Sequence, residues 1–244
     1  MPVVVLVVLA VFAGALTRAT FGFGEAVVAM PVLALLPLSL HTAASLMGLA
    51  GLTVAVLSTA GRSRQIDAAA LVRLAAGTVL GLPLGLALML YVPAAVTEVV
   101  LGGLLIGYGL YGLLPAPSPG RPGLRWAYPV GVLAGALGSA YNFNGVPVAV
   151  YGTLRRWRPA VFRGTLQAHF VISGALVVTA QAVGGLWTAR LPGLFALSVP
   201  AIGLATWGGH RLHRRIPADR FVRYVYILVA ALGAALVLRA ATGG

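Results

Sequence analysis

Two short polar segments interrupt an otherwise apolar chain, and their residue types could bind an anion. The first is TFGFGE at 20–25, where two glycines precede Glu25. The second is YNFNG at 141–145, which carries a phenol hydroxyl and two side-chain amides. Glycine permits backbone conformations and close approaches that side chains forbid, and amides can donate hydrogen bonds. The two segments are therefore candidates for the two sides of one binding site.

Glu25 is one of only four acidic residues, and apolar sequence flanks its segment. An ionised carboxylate in mid-membrane costs about 2.5–3.5 kcal/mol on insertion scales, so it is seldom retained without a role. One interpretation is structural: the carboxyl stays protonated or pairs with Arg18 and holds the segment together. The other is a proton-coupling site formed by Glu25 and Arg18, since a bound anion repels an ionised carboxylate and favours its protonated form.

The composition predicts the elements that must position these segments. The chain has 244 residues, of which 60% are hydrophobic and 9% charged, and its mean hydropathy is +0.98. Soluble domains carry about 25% charged residues. Several apolar runs reach the roughly 17–25 residues that a membrane-crossing helix needs. We predict an all-α polytopic membrane protein, with the lipid bilayer as its surroundings.

The positions of the basic residues indicate the topology of the chain in the membrane. The net charge is +13, every one of the 17 basic residues is Arg, and most of them lie in short loops between apolar runs. That distribution indicates cytoplasmic loops and not nucleic-acid binding. The chain has no Cys, which excludes a thiol nucleophile and a cysteine-ligated metal. We predict no metal site, no cofactor and no enzymatic activity, because Glu25 is the only carboxylate at membrane depth and a catalytic site needs more than one such group.

The two halves of the chain match weakly at an offset of 120 residues. GFGEA at 22–26 falls on NFNGV at 142–146, and SLMG at 45–48 falls on TLQA at 165–168. A Pro- and Gly-rich stretch separates the halves and cannot continue a helix. We predict three parts: a first transmembrane repeat over 1–114, a linker over 115–125, and a second transmembrane repeat over 126–244.

Arg-bearing loops predict that the two repeats have opposite orientations. The positive-inside rule places four loops in the cytoplasm: 61–67, 115–125, 154–163 and 209–220. Residues 126–153 must then enter and leave the membrane on one side, which predicts a re-entrant or broken-helix hairpin. By symmetry 2–37 is its inverted partner. Each half is thus a hairpin plus three transmembrane helices, giving about eight hydrophobic helical units and an inverted repeat typical of secondary transporters.

The hairpin tips are the predicted substrate site. A short helix begins after each tip, and its free N–H groups and positive dipole end suit an oxyanion. The candidate substrate-binding residues are Phe23, Gly24, Tyr141, Asn142, Asn144, Gly145, Thr165 and His169. Thr165 and His169 are four residues apart and share a helical face. For both residues, lining the cavity and forming a helix–helix hydrogen bond remain equally open.

Three stretches carry a resemblance to a known family. GFGEAVVAMPVLALLPL, GRSRQID and YNFNGVPVAVYGTLRRWRPAVFRGTLQAHF resemble the sulfite exporter TauE/SafE family, also called the toluene sulfonate uptake permease family. The resemblance covers essentially the whole chain and implies movement of sulfite or organosulfonates across a bacterial inner membrane. The chain differs from the family pattern at Glu25, Asn142 and Asn144, where glycines are common, and these differences change the charge and the donors at the tips.

The sequence therefore predicts a secondary transporter for a small anion, sulfite or an organosulfonate, with proton coupling through Glu25 as a hypothesis. An anion channel and a transporter of a non-sulfur carboxylate are the alternatives, which flux saturation with proton dependence and a ligand screen would separate. The direction of transport stays open, and so does assembly into a homodimer.

Overall fold

The architecture is described from a computed structural model. It covers residues 2–59, 65–114, 121–212 and 218–242, with the backbone alone for 218–225. Most of the predicted linker and parts of loops 61–67 and 209–220 lie outside these ranges. The helices are α1 Pro2–Phe21, α2 Glu25–Leu35, α3 Leu40–Thr59, α4 Ala68–Tyr91, α5 Ala94–Leu113, α6 Ala127–Tyr141, α7 Gly145–Leu154, α8 Pro159–Val183, α9 Leu191–Leu212 and α10 Ala218–Ala241. A short 3₁₀ turn at Leu124–Trp126 precedes α6.

The predicted all-α membrane fold is confirmed. Among the described residues there is no strand, and six helices (α1, α3, α4, α5, α8 and α9) are long and apolar enough to cross a membrane. Their lengths of 20 to 25 residues match the roughly 20 residues that 30 Å of hydrocarbon requires. The chain is therefore a multi-pass membrane protein.

Each half begins with a helical hairpin whose break falls at a predicted tip. The first hairpin is α1 and α2, with 20 and 11 residues, and the second is α6 and α7, with 15 and 10. Helix α1 is longer than one arm of a re-entrant hairpin needs to be. Gly14 lies inside the helix without ending it, and the helix continues to the glycine turn that begins at Gly22. Helix α6 is shorter because Pro122 and Gly123 lie just before its first turn.

Helix pairing follows the predicted correspondence between the halves. Helix α4 packs on α6 as α9 packs on α1, and the corresponding helices α3 and α8, and α5 and α10, pack on each other. Gly102 of α5 lies against Gly233, whereas Gly109 lies against Ala230, so α5 and α10 run antiparallel. Equivalent helices of opposite direction are what an inverted repeat requires. The repeat and its boundaries remain a prediction that this pairing supports.

Contacts between loops define the two ends of the helix bundle. At one end the Asp67 carboxylate accepts a hydrogen bond from Trp157 Nε1 (3.2 Å) and lies 3.6 Å from Arg155 Nη2. At the other end the hydroxyls of Thr42 and Thr188 are hydrogen-bonded at 2.8 Å. Parts of three Arg-bearing loops thus gather at one end, since Arg155 also donates to the carbonyl of Pro122. This grouping is consistent with the predicted cytoplasmic side, which stays a prediction.

Candidate functional site

The first tip is a glycine turn between α1 and α2. Gly22 and Gly24 both have φ of 92°, in the left-handed region where a Cβ is unfavourable. The backbone therefore reverses within three residues, and α2 begins at Glu25 with Gly24 as its N-cap. Helix α2 then folds back closely onto α1, because a Cβ at Gly14 would lie 2.7 Å from the Glu25 carbonyl oxygen.

The second tip uses asparagine where the first uses glycine. Asn142 ends α6 with a φ of 60°, a left-handed conformation that Asn tolerates better than most residues. Helix α7 begins at Gly145, where a Cβ would lie 2.5 Å from the Phe170 ring. Neither α2 nor α7 has a side-chain cap, so first-turn N–H groups remain for a ligand or water.

Both tips line one small cavity near the middle of the bundle. Its volume is about 30 Å³, room for only one or two water molecules. Gly48 and Gly51 border it at the midpoint of α3, and Phe170 and Gly174 border it at the midpoint of α8. Because α3 and α8 are long enough to cross the bilayer, a cavity at their midpoints lies near its middle.

A buried ion pair forms one wall of the cavity. Arg18 Nη1 donates to Glu25 Oε2 at 2.7 Å and to the Gly51 carbonyl at 2.9 Å, and both side chains are about 6% exposed. The guanidinium carbon lies 4.1 Å from the centre of the Phe170 ring, a cation–π contact. The pairing of Glu25 with Arg18, which was one interpretation of the sequence, is therefore present in the structure.

The ion pair leaves polar atoms without partners. Among the described residues, Arg18 Nε and Nη2 and Glu25 Oε1 are buried and make no hydrogen bond. An unsatisfied buried donor costs about 1–3 kcal/mol, and more when it is charged. Since both residues line the cavity, an anion seated there would complete the hydrogen bonding of the guanidinium.

Six of the predicted site residues lie together. The cavity lining contains Arg18, Gly24, Glu25, Asn142, Asn144 and Gly145. The Asn142 amide nitrogen already donates to the Ala44 carbonyl, and that of Asn144 to Ser173 Oγ at 2.7 Å. Each of these amide nitrogens has a second N–H, so the donors available at the cavity are Arg18, the backbone N–H groups and one N–H of each side-chain amide.

Four predicted residues lie outside the cavity lining. Phe23 packs beside the smaller of the two apolar cores, and the Tyr141 hydroxyl donates to the Thr97 carbonyl at 2.8 Å. Thr165 Oγ1 accepts from the Asp67 N–H at 2.9 Å, and His169 Nε2 is 3.1 Å from Thr78 Oγ1. For Thr165 and His169 this geometry corresponds to the alternative of contacts between elements.

Helices α3 and α8 contribute walls of the cavity that the sequence did not indicate. Gly51 gives the ion pair its space, because a Cβ there would lie 3.2 Å from Glu25 Oε2 and 3.3 Å from Arg18 Nη1. Phe170 packs on Arg18, just before the first tip, and on Gly145 of the second tip. The spacing of Gly48 and Gly51 on one helical face was an available signal, but close helix packing gives the same pattern.

The chain is similar to known proteins over most of its length. Residues 6–236 match the profile of the family described as sulfite exporter TauE/SafE. A curated protein of Cupriavidus necator, named probable sulfite/organosulfonate exporter TauE, is 25% identical over 233 residues, covering 93% of this chain and 91% of its own length. No solved structure matches the chain.

Proposed function

This chain belongs to the sulfite exporter TauE/SafE family, and from that premise we propose that it is a secondary transporter of sulfite or an organosulfonate whose binding site is the cavity between the two hairpin tips. Family membership makes it a transporter of the bacterial inner membrane and not an enzyme.

The observation that carries the proposal is the Arg18 guanidinium. It is buried in the central cavity with two nitrogens that lack hydrogen-bond partners. A guanidinium presents its donors in a planar fork that matches an oxyanion. Two helix N-termini add N–H groups and positive dipole ends at the same place. The cavity has room for only one or two water molecules in this conformation, so binding of a tetrahedral anion requires the two tips to move apart, as the alternating-access motion of inverted-repeat transporters allows.

A ligand screen on the purified full chain tests the site. Sulfite, sulfoacetate, another sulfonate, sulfate and simple carboxylates are added separately and the melting temperature is measured. A ligand that binds only the folded state stabilises it by about 2.7 kcal/mol at 100 times its Kd. We expect stabilisation by sulfite or a sulfonate. Stabilisation by carboxylates alone would favour the alternative substrate class, and unsaturable flux in vesicles would favour a channel.

We further propose that Glu25 couples the transport of sulfite to protons. Glu25→Gln keeps the shape of the protonated acid but cannot titrate. In vesicles it should still exchange sulfite, yet lose the accumulation that a proton gradient drives, because no proton then moves with the anion. Each elementary charge that moves across the membrane is worth about 2.3 kcal/mol per 100 mV of potential. Glu98→Gln is the matched control, since Glu98 pairs with Arg239 at 3.4 Å and does not line the cavity. If Glu25→Gln still shows concentrative, pH-dependent transport, Glu25 has only a structural role.

A further inference from the structure

The charges that face the central cavity add up to about one positive charge. Arg18 contributes +1 and Glu25 contributes −1, and they are the ionisable residues among the described cavity lining. The N-termini of α2 and α7 each contribute about +0.5 elementary charge, and both line the cavity through Gly24 and Asn144. A monoanion neutralises this sum, whereas a dianion leaves one negative charge in a small buried space.

Resting on the proposed function, we propose that the site accepts one net negative charge. It takes a monoanion, such as a sulfonate or hydrogen sulfite, while Glu25 is ionised. It takes a divalent oxyanion only together with a proton on Glu25. The proton count per transported anion then follows the charge of the substrate: none for a sulfonate and one for divalent sulfite.

The unpartnered atoms of the ion pair fit both loaded forms. Arg18 Nε and Nη2 donate to oxygens of the bound anion in either case. Glu25 Oε1, which is buried and has no partner, accepts a hydrogen bond from a protonated ligand when the carboxyl is ionised. When the carboxyl carries the proton, the same oxygen donates it to the divalent ligand. The total of charges and protons in the cavity is equal for hydrogen sulfite with ionised Glu25 and for sulfite with protonated Glu25.

Other charged groups around α2 are too distant or engaged to change this sum. Helices α1, α3, α5 and α10 pack against α2. Arg239 of α10 bonds to the Ala34 carbonyl and pairs with Glu98 of α5 at the far end of α2. His41 of α3 is hydrogen-bonded to the Met89 carbonyl. On α8, His169 bonds to Thr78 and does not line the cavity. In the described part of the chain, the charged partner of Glu25 is Arg18.

Methanesulfonate and sulfate test the proposal, because they share a tetrahedral shape and differ by one charge. Binding to the purified full chain is measured by calorimetry across the near-neutral pH range. For the native chain, methanesulfonate affinity should not change with pH, whereas sulfate affinity should rise about tenfold for each unit that the pH falls, since one proton is taken up with it. Glu25→Gln should bind sulfate with no pH dependence and at least tenfold (about 1.4 kcal/mol) more tightly at the alkaline end of the range.

Failure of the charge rule and failure of the proposed function give different results in this experiment. Glu98→Gln should behave as the native chain. Sulfate binding to the native chain without pH dependence would overturn the charge rule, and so would a folded Glu25→Gln that gains no sulfate affinity. The slope for the native chain requires no variant, so the inference is decided even where Glu25→Gln does not fold. If neither methanesulfonate nor sulfite binds a chain that melts cooperatively, the proposed function itself is wrong.

Discussion

The Arg18 guanidinium has a structural role and a proposed role in ligand binding. One nitrogen donates to Glu25 and to the Gly51 carbonyl, and the guanidinium carbon lies 4.1 Å from the centre of the Phe170 ring. The other two nitrogens have no partner. Removing one member of a buried ion pair typically costs about 3–5 kcal/mol, because the other charge is left uncompensated. Loss of transport in an Arg18 variant would thus be ambiguous, and substitutions that retain the pair are more informative.

Asn144 offers such a substitution. Asn144→Asp places a negative charge on the cavity wall, while its carboxylate can still accept a hydrogen bond from the Ser173 hydroxyl that Asn144 now contacts. Like charges repel strongly in a buried site. Anion affinity should therefore fall at least tenfold, about 1.4 kcal/mol, and much further than in Asn144→Ser. Calorimetry with sulfite makes the comparison, and equal affinities of the two variants would move the binding site away from the second tip.

At the scale of the helices, the close packing of α4 on α6 depends on glycines. On α4, a Cβ at Gly77, Gly81 or Gly85 would lie 2.0–2.3 Å from a backbone carbonyl oxygen of α6. On α6, Gly131 and Gly135 stand equally close to α4. Small residues at such positions let backbones meet, which in a membrane compensates for the missing hydrophobic drive. This contact holds α6, and with it the second tip, against the long helix α4.

Gly81→Ala should disturb this contact without adding polarity or charge. The new methyl group would meet the Val132 carbonyl oxygen at 2.0 Å, so the two helices must separate. Overpacking of this kind costs about 1–3 kcal/mol or more, and the melting temperature of the detergent-solubilised chain should fall clearly. Gly203→Ala on α9 is the matched control, because no atom of another described helix lies within 4 Å of its Cβ position. A melting temperature unchanged in both variants would contradict the close α4–α6 packing.

In the whole molecule, the two tips lie on either side of the midpoint of α3. Asn142 of the second tip donates to the Ala44 carbonyl on α3, and Arg18, just before the first tip, donates to the Gly51 carbonyl. Two hairpins entering from opposite sides would meet in this way, with each tip passing slightly beyond the centre. The alternating-access motion of inverted-repeat transporters changes which side reaches such a site. The proposed orientation in the membrane can be measured directly.

Single cysteines can report the orientation without background, since the chain has no native Cys. Cysteines at Ser63, Ser118 and Ala218, in the predicted cytoplasmic loops, should be shielded from an impermeant thiol reagent in intact cells. A cysteine at the exposed Ala189, next to the Thr188 contact at the opposite end, should be labelled. This pattern follows from the asymmetry of Arg between loops. Labelling of Ser118→Cys from outside would contradict the inverted arrangement.

Composition and local pattern were sufficient for the fold class, the two tips and the family. Apolar length predicts a crossing helix whatever the helix packs against, and the glycines and asparagines of 20–25 and 141–145 end helices through local backbone conformation. The sequence could not decide which side chains face one another across the cavity. Arg18 could have paired with Glu25 or remained apart, and Thr165 and His169 could have faced the tips or, as found, Asp67 and Thr78. These outcomes depend on how helices from both halves rotate and approach, which is fixed by contacts between residues far apart in the chain, such as Gly51 with Arg18 and Gly145 with Phe170.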